Sequence, residues 1–233
     1  MALPALSSPE FMTEIPSTKQ KIKFRPFLVK EEKILYMALE GQDPIEITNA
    51  IQNTLESCIL TEGIDVAKLA TFDIEHLFLQ LRGKSVGEEV EIVLRHKEGD
   101  CKESVNLSIN LDEIKVKGDI TDGKIMINDK IGVKMRYPSF SDTSKITDVD
   151  SAEGVFGALA VLIEYIYDKE TVYNDFDKSE MVDWLGNLNQ EQFKKLTDYI
   201  QNVPKLSHEV EWTCNVCKKK ETILLEGLQS FFT

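Results

Sequence analysis

The sequence predicts an α+β fold in which antiparallel strands and hairpins pack with about six helices and the C-terminal helical part closes in a Cys-x-x-Cys hairpin. Apolar residues recur at helical spacing from about residue 34 to residue 82, change to a period of two from Glu88, and return to helical spacing from about Ser151.

Residues 11–15 and 21–28 read as extended stretches joined by Pro16, Ser17 and Thr18, a combination suited to a turn, so the chain opens on a hairpin. Pro26 cannot donate to a sheet ladder and ends the second strand. In the first helix Ile34, Leu35, Ala38 and Leu39 share a face, with Gly41 as the left-handed stop. The second helix starts at Asp43 as N-cap, with Pro44 in the first helical position and Glu46 completing a capping box. Its apolar set, Ile47, Ala50, Ile51, Leu55, Cys58 and Ile59, places Cys58 in a buried stripe. A third helix over residues 72–82 turns Ile74, Leu77, Phe78 and Leu81 inward and His76 outward.

From Glu88 the apolar positions Val90, Ile92 and Leu94 alternate, and after a polar turn Val105, Leu107 and Ile109 do the same. This predicts a β-meander, followed by short strands at 124–127 and 133–137. Residues 151–168 are apolar on nearly every side and predict a central buried helix with a capping pattern at Asp150 and Glu153. Two shorter helices are led by Asp177 and Asn189, Pro204 closes the second, and residues 209–213 and 222–225 frame the Cys-x-x-Cys turn. The expected organisation is an α+β part over residues 1–140 and a mainly helical part over residues 141–233.

Hydrophobic residues make up 42% of the chain, too many for wholesale disorder. The 40 acidic against 27 basic side chains give a net charge of −13, which opposes binding to a phosphate backbone or an anionic lipid surface. Nucleic acid is therefore not an expected partner. Lys19, Lys21, Lys23 and Arg25 alternate with Ile22 and Phe24 as on the wet face of a half-buried strand. No apolar run approaches the roughly 20 residues that span a bilayer. Four unevenly placed cysteines do not make a disulfide framework, which points to a reducing cytosol.

The most specific chemical signal is Cys214-Asn215-Val216-Cys217 between two strands, the spacing of a zinc knuckle, followed by Lys218, Lys219 and Lys220. Structural zinc takes four ligands, and Cys101 with His96 or His208 are the available additions; a metal-free turn is the alternative. A thioredoxin-like role does not fit, because that motif opens a helix. The chain has no phosphate-binding glycine loop, no Gly-x-Ser-x-Gly and no His-Glu-x-x-His. Asp148, Asp150 and Glu153 fail as a calcium loop, since Ala152 stands at the fifth position and no glycine at the sixth. Two contact candidates remain. Phe231 and Phe232 are either tucked into the body or offered to a partner, and Arg82 with Lys84 either meet a partner or offset a helix dipole.

Three stretches carry a resemblance: Met1-Ala-Leu-Pro, Lys23-Phe-Arg-Pro-Phe-Leu-Val-Lys-Glu-Glu-Lys, and Phe72-Asp-Ile-Glu-His-Leu-Phe-Leu-Gln-Leu-Arg-Gly-Lys-Ser-Val-Gly. With the closing Cys-x-x-Cys and Gly227-Leu228 to Phe231-Phe232, they resemble the baseplate hub assembly protein family of T-even-type contractile-tailed phages. The resemblance implies a late viral protein made in the host cytoplasm, with other baseplate hub and tail assembly proteins as partners and no enzymatic activity. It differs from the family pattern around Cys101, where relatives carry more cysteines. A zinc-ribbon adaptor and a hydrolase with a carboxylate site are the readings from other classes.

Overall fold

The computed structural model describes residues 7–95, 101, 104–142, 145–146 and 151–228. In chain order the elements are β1 (Phe11–Glu14), β2 (Lys21–Phe24), α1 (Val29–Gly41), α2 (Pro44–Cys58), α3 (Thr71–Ser85), β3 (Glu89–Arg95), β4 (Ser104–Asn110), β5 (Lys115–Lys117), β6 (Lys124–Met126), β7 (Gly132–Met135), α4 (Ala152–Leu162), β8 (Ile163–Tyr167), β9 (Val172–Tyr173), α5 (Lys178–Gly186), α6 (Gln190–Gln201), β10 (Lys205–Thr213) and β11 (Lys220–Glu226). Helices and antiparallel strand pairs make this an α+β fold.

The chain forms two compact units, and they are not the contiguous parts expected with a cut at residue 140. The first comprises Met1–Val66, Phe72–Lys117 and Lys205–Thr233, the second Ala67–Thr71 and Gly118–Pro204. The physical reason is strand pairing: β10 returns to bond β5, with Leu206 opposite Val116, which ties the C-terminal strands to the first unit.

In the first unit β1 and β2 form the expected hairpin, with Phe11 opposite Phe24. α3 is its central element, and Phe72, Ile74, Leu79 and Leu81 are almost fully buried. Asp73 is buried as well, because its carboxylate accepts from the Ser17 amide (2.8 Å) and the Ser17 hydroxyl, clamping the hairpin turn to the helix. Hydrogen bonds to a charged acceptor carry about 2 kcal/mol, so Asp73→Ala is expected to destabilise the protein by about that amount. Urea unfolding gives the magnitude, and hydrogen exchange is expected to quicken first at Ile22 and Phe24.

His76 departs from expectation. Its Nε2 lies 3.5 Å from the Thr13 hydroxyl and its Nδ1 is buried without a hydrogen-bond partner among the described residues. Burial, aided by the nearby Lys19 cation, lowers its pKa and favours the neutral ring. α1 ends differently too: the left-handed residue is Gln42 (φ 54°), not Gly41. In α2 Asp43 caps as expected but accepts from Ile45 N–H at 2.8 Å, a single cap bond, while Cys58 is fully buried.

The alternating stretches pair as β3–β4, yet the meander does not continue. A short helical turn at Leu111–Glu113 buries both Leu111 and Ile114, and this redirects β5 away from β4 to the sheet of order β11-β10-β5.

The second unit is a four-stranded sheet of order β6-β7-β8-β9 whose core, including Val133, Met135, Leu159, Met181 and Leu196, is shared with α4, α5 and α6. The helix expected over residues 151–168 stops at Leu162. The next residues, Ile163-Glu-Tyr-Ile-Tyr, are β-branched and aromatic and pair as β8 with β7. Ser151 caps α4, accepting from Gly154 N–H at 3.1 Å; Asp150 lies outside the described residues. α5 and α6 begin as expected, with capping boxes from Asp177 with Glu180 and from Asn189 with Gln192. Gly123 (φ 70°) sits against the backbone of Met135, whose N–H donates to its carbonyl at 2.8 Å, and a β-carbon there would collide with the Met135 carbonyl.

Candidate functional site

β10 and β11 pair from Ser207 opposite Glu226 to Thr213 opposite Lys220, which leaves residues 214–219 as their connection. Within it the Cys214 amide donates to the Lys219 carbonyl and the Lys218 amide to the Cys214 carbonyl, each at 3.0 Å. Closing so tightly takes Lys218 into the left-handed region (φ 60°). This turn presents Cys214 buried and Cys217 exposed. Cys101, in the connection between β3 and β4, brings the third sulfur: its Sγ is 3.8 Å from that of Cys214, and all three Sγ atoms lie within 4.8 Å of one another.

Three of the four cysteines thus meet, as their positions at two hairpin ends suggested, and none is in a disulfide. His96 lies outside the described residues. His208 stands on β10 opposite Leu225 and does not belong to the cluster. Cys58 is elsewhere, in α2, where burial pushes its thiol up to about 11 against a smaller opposing effect of Arg25, so it is not a ready nucleophile.

A second feature is apolar. Phe27, Leu35, Leu39, Ile51, Phe78 and other residues of the first unit line a groove of about 510 Å³. Of the apolar stripe of α1 read from sequence, Leu35, Ala38 and Leu39 line it and Ile34 does not, and the stripe is only partly core: Ala38 is buried, but Ile34 is 51% exposed and Leu39 45%. Arg82 lines the same groove and is partly desolvated, which lowers its pKa. Lys84 is engaged within the chain, paired with Glu88 and 6.0 Å from the centre of the Phe11 ring. Phe231 and Phe232 lie outside the described residues.

Two carboxyls have strongly displaced pKa values that sequence gave no sign of, since both depend on long-range packing. Burial pushes Glu75, on α3, up to about 7, although the backbone N–H groups of Leu228 and Leu206 oppose the shift. Burial also acts to raise Asp142, but the Arg136 guanidinium and the amide and hydroxyl of Ser139 outweigh it and hold the carboxyl at about 2. Neither lines the groove, and each is tied to donors that brace the fold. Among the described residues no helix is long and apolar enough to cross a membrane.

Searches of curated proteins and of solved structures find no match. The family model described as T4 bacteriophage base plate protein matches residues 8–233, which spans both compact units and the cysteine turn. The chain therefore belongs to the T4 bacteriophage base plate protein family and is a phage baseplate component.

Proposed function

We propose that this chain is a tail-baseplate hub assembly protein, a chaperone or a component of the hub, that acts through protein contacts and not by catalysis. The match over residues 8–233 to a baseplate family carries the reading. The stretches that resemble hub assembly proteins support its finer part, because they converge in the first unit. Residues 23–33 run from β2 into α1 and residues 72–87 form α3 and its exit, and the Phe27 amide donates to the Ser85 hydroxyl at 3.0 Å. Arg25 fixes the entry to α1 by donating to Glu31 (2.9 Å) and to the carbonyls of Pro26 and Ser57. Both stretches contribute to the apolar groove, through Phe27 from one and Phe78 and Arg82 from the other. Apolar surface kept out of the core is what a protein that works by association retains.

The test is retention of purified hub proteins of the same phage by the immobilised full chain over a salt series. At least one is expected to remain bound at about 0.5 M salt, where exposed charge pairs are largely screened. Failure to retain any hub protein at any salt concentration overturns the hub reading.

A further inference from the structure

The cysteine cluster does not line the apolar groove and has a chemistry of its own. We infer that Cys101, Cys214 and Cys217 bind one zinc ion as three thiolate ligands of a tetrahedral site. Zinc–thiolate bonds of about 2.3 Å separate the sulfurs of a tetrahedron by about 3.8 Å. Cys101 and Cys214 stand 3.8 Å apart, and Cys217 lies within 4.8 Å of both. The ligands come from two separate hairpin connections, and the Cys-x-x-Cys turn already has the tight backbone that points two thiols the same way.

A disulfide is a poorer account of the same cluster. It requires sulfurs about 2.05 Å apart and would leave one thiol of the three unused. Zinc uses all three. Each coordinating thiol loses its proton, so loading releases up to three protons, and the resulting centre carries one net negative charge. Lys218, exposed on the same turn, and Lys220, exposed at the start of β11, are cations close in sequence to that charge. The fourth position takes a water molecule or one further oxygen or nitrogen donor. A metal held in this way cross-links segments 113 residues apart, fastening the β3–β4 connection to the β10–β11 turn.

The experiment uses tag-free full-length protein purified under reducing conditions in the presence of zinc. Elemental analysis is expected to give one zinc per chain, and X-ray absorption a first shell of three sulfurs and one lighter atom. Cobalt substituted for zinc should show the thiolate charge-transfer band. Cys101→Ser and Cys217→Ser are each expected to weaken metal binding at least about tenfold, the minimum for loss of a direct ligand given what outer-shell changes cost. Cys58→Ala is expected to change nothing. Because Cys217 is exposed, its replacement leaves the core intact and separates metal loss from misfolding. Absence of bound metal, a shell without sulfur, or metal binding by the Cys101 and Cys217 variants as tight as that of the wild type overturns the proposal.

Discussion

Replacing Asp142 by alanine is expected to destabilise the protein by about 3 kcal/mol, because it removes the buried carboxylate of a half-buried ion pair and leaves several donors unmatched. Arg136 donates to both carboxylate oxygens, one at 2.9 Å, and also to the Val161 carbonyl at 3.2 Å. The Ser139 amide (2.9 Å) and hydroxyl (2.8 Å) point at the same oxygen. Ser139 is buried, so water cannot replace the lost acceptor there. Asp142→Asn keeps an acceptor and is expected to lose less. The pH dependence has a definite sign. A carboxyl held at about 2 against an ordinary 3.8 contributes stability above the higher value, and that contribution fades as pH falls between the two. Urea unfolding is therefore expected to show a wild-type decline from about pH 4 downward that the asparagine variant lacks.

Glu75 predicts the opposite slope. Its folded-state pKa of about 7 lies above the ordinary 4.5, so it contributes nothing unfavourable below pH 4.5 and costs stability as pH rises through 7. At 1.36 kcal/mol for each pKa unit the full cost is about 3 kcal/mol. Glu75→Gln retains a carbonyl oxygen for the N–H groups of Leu206 and Leu228 and cannot ionise. Its stability relative to wild type is expected to rise by about 2 to 3 kcal/mol between pH 5 and pH 8 in paired urea unfolding curves. A difference that stays constant over that range contradicts a raised carboxyl at this position.

Local signals were legible where local physics decides. The helix starts at Asp177 and Asn189, the β1–β2 hairpin and the buried Cys58 all follow from residues within a few positions of one another. Where packing at long range decides, sequence reading stopped short. Ile163 to Tyr167 continue an apolar helical pattern, and only the presence of β7 as a partner turns them into a strand. The turn at Leu111–Glu113 diverts β5 for the sake of two buried side chains, and no local pattern names β10 as its partner. The candidate site shows the same division. Cys-x-x-Cys announces itself, and Cys101 was within reach because it too stands at a hairpin end. The apolar stripe of α1 was visible as a stripe, but nothing in its spacing told core from groove.

The proposal that the chain holds other baseplate proteins without changing a covalent bond rests on membership of the family and on the apolar groove. The most direct measurement mixes the purified chain with a candidate hub protein of the same phage, isolates the complex by size-exclusion chromatography, and weighs both chains by intact-mass spectrometry. The account predicts co-elution with both masses unchanged. A partner that emerges cleaved or modified, or that never co-elutes with the chain, contradicts it.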